Sequence, residues 1–334
     1  MKSSGQNWRP VASLERLRQR ATALATARRF FNDRGYLEIE TPAIVTRPVS
    51  DPQLANIRCR MRLQYEQEFF LHTSPEYHMK RALAAGSGNI FQICKAYRDG
   101  ELGRRHLPEF TLAEWYRCGV AYGAFIDETL ELIEAIAASL RVRVTVVRRL
   151  SYAEAFTEFA AVDPLVAAVG ELRHAAVAHL GAPNVEPLLN SLGENRDAWL
   201  DLILSSIVEP ALASLGLVVV DRYPASQAAL ARLDAGDPRV AERFEIYLHG
   251  MELANGYHEL ADVAEQSTRF GMDQVRRGEL GAPVVAADDA LLAALAAGLP
   301  DCCGVALGFD RLLMACLGET DIRRVVAFVT PDSE

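Results

Sequence analysis

The sequence is poor in cysteine, has no long apolar run and carries no excess of positive charge. Its six cysteines, at 59, 94, 118, 302, 303 and 316, form no CxxC pair, and adjacent Cys302 and Cys303 lack metal-ligand spacing. That excludes a zinc ribbon or a disulfide scaffold and leaves buried free thiols in a reducing compartment. No apolar run reaches the length that a bilayer requires, and the opening "MKSSGQNWRP" has no signal-peptide core. The chain therefore reads as cytoplasmic, with no membrane partner. The formal net charge of −9 gives no global steering toward a polyanion. Neither GxGxxG nor a Walker loop occurs, so neither common nucleotide-binding fold is supported.

What remains is an ordinary globular composition, 50% hydrophobic and 24% charged over 334 residues, enough for a substantial core. Leu14, Leu17, Ala21, Leu24, Ala25 and Ala27 give helical spacing over 13–34, with Gly35 as the stop. "YLEIETPAIV" alternates as a strand whose end Pro42 demotes to an edge. "FFLHTSPEYHMKRALAAG" reads as a strand, then a helix opened by Ser74 and Pro75 and closed by Gly86. Residues 90–98 and 109–117 read as two strands around a charged loop, and 123–140 as a helix. The segment from about 151 to 215 is Ala- and Leu-rich and helical, with no chemistry of its own. It is a candidate insertion in a single domain spanning 1–334. "LGLVVVDRYP" is a buried strand, 288–298 a short helix, and "GVALGFDRLLMACLG" a glycine-flanked strand running into a helix. Short strands at irregular spacing among helices, with at least two hairpins, predict an α+β fold built on a largely antiparallel sheet.

The stretch "GMELANGYHEL", 250–260, contains the strongest short hairpin signal, Asn255-Gly256 as a two-residue turn. That turn pairs Ala254 with Tyr257, Leu253 with His258 and Glu252 with Glu259. Two carboxylates then face each other, which is destabilising. A divalent cation between them removes the repulsion, Mg²⁺ preferring one or two carboxylates plus substrate phosphates. Two solvated glutamates on an exposed face are the equal alternative. Arg311 stands at the start of a helix over 310–317, where the macrodipole disfavours a cation. A bound phosphate offsets this, although a salt bridge to Asp310 is the plainer reading. In "RDGELGRRHLPEF", Arg98 ends a strand and Arg104, Arg105 and His106 crowd the loop, as suits a triphosphate or a solvated charged turn. In "HTSPEYHMKR", Ser74 as a cap and Glu76 in the first helical turn are explained by the helix alone. Gripping a substrate amine is an added capacity. Together these groups offer two carboxylates for Mg²⁺, two arginines for phosphates and further acids for a cationic substrate.

Three ordered stretches also carry a resemblance. "GYLEIETPAI" resembles motif 1, "YRDGELGRRHLPEFTLAEWY" motif 2 and "GVALGFDRLLM" motif 3 of the class II aminoacyl-tRNA synthetases of the lysyl type. With "ELANGYHEL" the likeness covers nearly the whole chain. Motif 1 begins near residue 35, which leaves no room for an N-terminal OB anticodon-binding domain. "HTSPEYHMKR", "RYPASQAAL" and "GVALGFDR" look like the truncated paralogue family, the elongation factor P–(R)-β-lysine ligases. This resemblance implies an antiparallel sheet flanked by helices, a homodimer across motif 1, and ATP with Mg²⁺, without tRNA. It implies that (R)-β-lysine is activated as an adenylate and passed to a lysine of elongation factor P.

The implied roles are as follows in this numbering. Arg98 holds the α-phosphate and Arg311 the γ-phosphate. Glu252 and Glu259 are the Mg²⁺ and ATP carboxylates, Glu259 also lying near the substrate. Arg98, Arg311 and Glu259 are the catalytic set. Leu253 and Gly308 line the ATP site by backbone contacts, beside Asp99, Gly100, Glu101, Leu107 and Phe110 of motif 2. Ser74, Pro75, Glu76, Glu114, Tyr116, Glu259 and Ala306 form the amino-acid pocket. Glu114, Tyr116 and Leu112 alternate onto one strand face, so the first two converge. The sequence departs from the family's usual motif 2 loop, Arg-Asn-Glu-Glu and then His-Asn-Pro-Glu-Phe. Asp99, Gly100 and Leu107 replace three of those residues, so contacts to ATP at 100 and 107 fall to the backbone. Ser74 and Ala306 stand where tRNA-charging relatives usually have Ala and Gly, which fits an amino group one carbon further along the substrate.

Two other functions compete. An ATP-dependent ligase with a small-molecule acceptor such as ammonia, like an asparagine synthetase, uses a similar core. A catalytically silent regulatory paralogue has lost an arginine or a metal carboxylate, whereas Arg98, Glu252, Glu259 and Arg311 are all present here.

Overall fold

The computed structural model describes residues 8–62 and 67–330, and most of the opening segment read for a signal peptide lies outside them. The clearest alternation in the chain builds the middle of the fold. In Glu109–Cys118, Ala113 and Trp115 point into the core, while Glu114 and Tyr116 point to the opposite face. This strand belongs to an eight-stranded sheet: β1 (Leu37–Glu38), β2 (Ile90–Tyr97), β3 (Glu109–Cys118), β4 (Val146–Ser151), β5 (Leu217–Pro224), β6 (Val240–Leu248), β7 (Met251–His258) and β8 (Cys302–Gly308). Its order is β1-β2-β3-β8-β7-β6-β5-β4. The inner pairings are antiparallel, and only the edges β1·β2 and β4·β5 are parallel. The expected α+β class holds.

Among the described residues, six helices outside the segment 151–215 flank the sheet: α1 (Leu14–Asp33), α2 (Glu76–Ala84), α3 (Tyr122–Ser139), α4 (Val263–Glu279), α5 (Asp289–Gly298) and α6 (Phe309–Cys316). Ser13 caps α1, its hydroxyl oxygen accepting from the Arg16 amide at 3.2 Å. On one face Phe31 of α1, Ile133 of α3 and Leu312 of α6 pack against Trp115, Phe244 and Val305. Burial of each such large side chain contributes about 1.5–3 kcal/mol. On the other face α2, α4 and α5 meet through Tyr77, Met79, Phe270, Leu291 and Leu295. That second layer covers only part of the sheet, and a cleft occupies the rest.

The segment 151–215 is mostly helical and has its own core of Tyr152, Phe156, Trp199 and Leu200, which continues onto Val218, Val220 and Tyr247 of the sheet. Within it Arg196–Leu215 is long and apolar enough to cross a bilayer, by length and composition only. The sequence reading found no such run. Here its apolar side is turned inward, with Trp199, Leu200, Ile203, Val208 and Leu212 all buried.

Two local expectations are overturned. "YLEIETPAIV" is not one strand. Only Leu37–Glu38 joins the main sheet, and Ile44–Val45 pairs in a separate three-stranded sheet with Glu68–Leu71 and Arg58–Arg60. Pro42 cannot donate to a ladder, and the chain breaks around it. The second correction concerns Asn255-Gly256, which lies inside β7 rather than at a turn. The chain reverses at His249-Gly250, where φ is 53° and 70°, as a tight primed turn requires. Gly256 is small for another reason. A Cβ there would sit 2.5 Å from the ring of Phe244 in β6. Glu252 therefore pairs with Tyr247, and Glu252 and Glu259 do not face each other across a hairpin.

Candidate active site

Directly opposed residues on neighbouring strands share a face, so the register sorts side chains into rows. Across β3, β8, β7 and β6 one row is Glu114, Ala306, Asn255 and Glu245, and the next is Tyr116, Gly304, Tyr257 and Arg243. Both rows line one cleft of about 1510 Å³, walled by α4, residues 49–54 and part of the segment 151–215. Glu252 on β7 and Glu259 just past its end are seven apart, an odd spacing that would put them on opposite faces of a regular strand. The register slips between Glu252 and Ala254, inserting one residue and returning Glu252 to the cleft side.

One arm of the cleft is an acid-lined pocket. Ser74 Oγ accepts from the Glu76 amide at 3.0 Å and donates to Glu114 Oε2 at 2.7 Å. The N-cap of α2 is Pro75 rather than Ser74, but the Ser74 hydroxyl serves both the first helical amide and the pocket. Tyr116 donates its OH to Glu114 Oε1 at 2.8 Å. Lys80, one turn after Glu76 on α2, puts Nζ 2.8 Å from Glu76 Oε1 and 2.6 Å from Glu259 Oε2. Both oxygens of Glu259 and Asn255 Oδ1 are buried without a hydrogen-bond partner, the Lys80 contact to Oε2 being an ion pair. Gly304 makes space for this arrangement, because a Cβ there would sit 2.4 Å from Glu259 Oε1 and 2.3 Å from the Tyr116 ring. Burial, then the nearby Glu76 carboxylate, pushes the Glu114 carboxyl up to about 8. Burial also raises Glu259, and Lys80 only partly offsets it. Burial alone would lower the Lys80 ammonium, but Glu259 and Glu76 hold it above its ordinary value.

The other arm is rich in arginine. Arg311, at the start of α6, reaches Glu252 Oε2 at 3.2 Å, donates to the Arg105 carbonyl at 3.3 Å and meets the His106 ring. Its neighbour Asp310 is taken by Arg20 and by the Thr111 amide, so the Asp310 bridge considered for Arg311 does not form. Arg98 stands over the Phe110 ring at 5.0 Å, with Glu101 at 3.6 Å. Its Nε is buried and unpartnered. Glu209, from the segment 151–215, also faces this arm. Burial and the Glu252 carboxylate push it up to about 7.

The structure brings Ser74, Glu76, Arg98, Glu101, Leu107, Phe110, Glu114, Tyr116, Glu252, Leu253, Glu259, Ala306, Gly308 and Arg311 to this one cleft. It does not bring Pro75, Asp99 or Gly100. Pro75 is buried at the start of α2, while Asp99 and Gly100 are exposed on the loop, where Gly100 takes φ 74° to turn the chain. Leu107 lies in the hydrophobic core, so its side chain supports the floor instead of offering a polar contact. No cysteine lines the cleft, and burial pushes the Cys94 thiol up to about 12, away from nucleophilic use.

Lys80, Gly304, Asn255, Glu245 and Glu209 were missed. Lys80 had a signal, its four-residue spacing from Glu76 on a predicted helix. Gly304 and Asn255 follow only from strand register. Glu209 comes from a segment with no local chemistry and had no signal at all.

An antiparallel sheet with buried carboxylates on one stretch and paired arginines on another is the core of a class II synthetase. Residues 6–331 match the family described as tRNA synthetases class II (D, K and N), and the chain belongs to that family. It is 45% identical to the "Elongation factor P--(R)-beta-lysine ligase" of Vibrio vulnificus (strain YJ016) over 97% of this chain and 98% of that protein. It is also 45% identical to the ligase of the same name from Pasteurella multocida (strain Pm70), over 97% of each chain. The Salmonella schwarzengrund (strain CVM19633) protein of that name is 43% identical over 98% of both. Within the class II family the chain stands among the elongation factor P–(R)-β-lysine ligases, and it is a ligase.

Proposed function

We propose that this protein condenses (R)-β-lysine with ATP to give β-lysyl-adenylate and pyrophosphate, then transfers the β-lysyl group to a lysine side chain of elongation factor P. One observation carries the reading: a buried pocket of Glu76, Glu114 and Glu259 shares a cleft with Arg98 and Arg311. The acids suit a substrate with two ammonium groups, and the arginines suit its nucleotide. An aspartate substrate would bring a further carboxylate among buried ones, which works against the small-molecule ligase reading. Arg98, Glu252 and Arg311 in one cleft work against a silent paralogue.

In the first step a carboxylate oxygen of β-lysine attacks the α-phosphorus, and the bond to pyrophosphate breaks. Arg98, with an unpartnered Nε, is the group that steadies charge on the α-phosphate. Arg311 is the ligand of the γ-phosphate, and the pocket aligns the attacking carboxylate by holding both amines. In the second step the neutral amine of the acceptor lysine attacks the acyl carbon. AMP leaves, a proton is lost and an amide forms. No protein nucleophile takes part.

Among the described residues no three His, Cys, Asp or Glu side chains converge as a metal site. Glu252 does fit a cation carried in by the nucleotide, since it faces Glu209, whose own burial and the Glu252 charge push its carboxyl up, and Arg311 and Arg105 offset only part of that rise. Mg²⁺ held there by Glu252 would neutralise phosphate charge. Glu259 belongs to the amine pocket, its second oxygen already held by Lys80. The working form is a cytoplasmic homodimer across motif 1, supported by Leu37 and Ile44, which are 54% and 41% exposed there. No tRNA enters the reaction.

ATP–pyrophosphate exchange without tRNA tests the reading. (R)-β-lysine is expected to drive exchange best, α-lysine weakly and aspartate not at all. Exchange with neither lysine isomer refutes the proposal.

A further inference from the structure

Lys80 has no part in the two steps above, yet it is built into the centre of the pocket. Its side chain is 2% exposed and joins two carboxylates from different elements, Glu76 on α2 and Glu259 at the end of β7. We propose that Lys80 is an internal counter-ion that sets how many positive charges the pocket takes and which oxygen of Glu259 meets the ligand. The inference rests on the reading that this pocket binds a diammonium substrate.

The charge argument is a count. Glu76, Glu114 and Glu259 are three carboxylates within one pocket, and Lys80 is the cation held against two of them. With all three carboxylates in the charged form that a diammonium ligand favours, two negative charges remain for the ligand, and two ammonium groups cancel them. Without Lys80 the same ligand leaves one carboxylate unpaired in a buried site, which is strongly unfavourable. The orientation argument is geometric. Lys80 stands 2.6 Å from Glu259 Oε2, so Oε1 is the oxygen without an ion-pair partner, and it fills the space beside the Tyr116 ring that a side chain at residue 304 would take. A diammonium ligand in the cleft meets a carboxylate already turned toward it. Lys80 is thus a positioning residue. It fixes the charge that the ligand must supply, while Ser74, Tyr116 and Ala306 shape the space.

The experiment is chemical rescue. Lys80→Ala removes the ammonium and leaves a cavity between two acids. The KM for (R)-β-lysine in pyrophosphate exchange is expected to rise by roughly tenfold or more, with kcat and the KM for ATP changed far less. Added ethylammonium is expected to restore much of that loss by filling the cavity with a cation, whereas ethanol at the same concentration restores nothing. Lys80→Met, which keeps the methylene volume, is expected to melt cooperatively, show the same KM-specific loss and resist rescue. An unchanged KM in both variants overturns the proposal, as does a proportional loss of kcat and both KM values, or equal rescue by the alcohol. If Lys80→Ala does not fold, a wild-type KM in folded Lys80→Met overturns it alone. Wild-type protein that exchanges normally with (R)-β-lysine while these variants behave as wild type leaves the functional reading intact and removes only the role of Lys80.

Discussion

Gly304→Ala adds one methyl group at the most crowded point of the amine pocket. Its Cβ would stand 2.3 Å from Tyr116 Cε1 and 2.4 Å from Glu259 Oε1. Carbon atoms in contact settle at about 3.5–4.0 Å, so the ring must retreat by about 1 Å or the carboxylate must swing away. The ring is tethered, because its OH donates to Glu114 Oε1 at 2.8 Å. A retreat of that size breaks the bond or drags Glu114 with it. Overpacking of this kind costs about 1–3 kcal/mol of stability. Loss of one hydrogen bond to a charged group removes about 1.5–3 kcal/mol of substrate binding, which is roughly a 10- to 150-fold fall in kcat/KM for the amino acid. The KM for ATP should barely move, since Arg98, Glu252 and Arg311 lie in the other arm. Pyrophosphate exchange at varied amino acid and at varied ATP separates the two. A folded Gly304→Ala protein with wild-type KM for (R)-β-lysine would falsify the placement of Glu259 and Tyr116 in the amine pocket.

The raised carboxyls predict a pH effect. Glu114 is held up to about 8 and Glu259 to about 7 from ordinary values of 4.5, so the folded form keeps protons that the unfolded form releases. Their stabilising contribution is full below the unfolded value and is lost as pH rises toward 8. A diammonium ligand favours the charged forms, so the rise in melting temperature on adding (R)-β-lysine should be larger at pH 8 than at pH 6. An equal rise at both pH values contradicts this. Ala306→Gly, beside Glu114 in the strand register, should shift the ratio of kcat/KM values from (R)-β-lysine toward α-lysine, and an unchanged ratio shows that this position does not set the choice. Gly256→Ala should lose about 1–3 kcal/mol in urea unfolding through its clash with Phe244, and a neutral result would mean that this contact is not why glycine stands there.

Elements with a strong period were legible. The α1 helix, strands β2 and β3 with their loop, α3, and the β8-to-α6 passage all follow from alternation, caps and glycines. The Asn255-Gly256 signal misled because a turn dipeptide and a packing glycine look the same in one dimension. What chose between them was Phe244, a residue on the neighbouring strand. The true reversal, His249-Gly250, carries a weaker local signal and is fixed by a cramped site where a Cβ on Gly250 would lie 2.4 Å from the Glu209 carbonyl. The expected repulsion between Glu252 and Glu259 vanished with the false turn, and each acid has its own cation, Arg311 and Lys80. Most of the motif residues meet in the cleft all the same, Pro75, Asp99 and Gly100 excepted. What remained hidden was whatever depends on register: the space at Gly304, the row shared by Glu114 and Ala306, and Glu209 arriving from the segment 151–215.

The slip in β7 has a consequence for how this cleft changes over time. One extra residue between Glu252 and Ala254 decouples the halves of a shared strand. Deleting it would rotate the triphosphate-side acid out of view and leave 255–259 undisturbed. Nucleotide handling and amino-acid choice can therefore drift separately, although a single ribbon of backbone carries both.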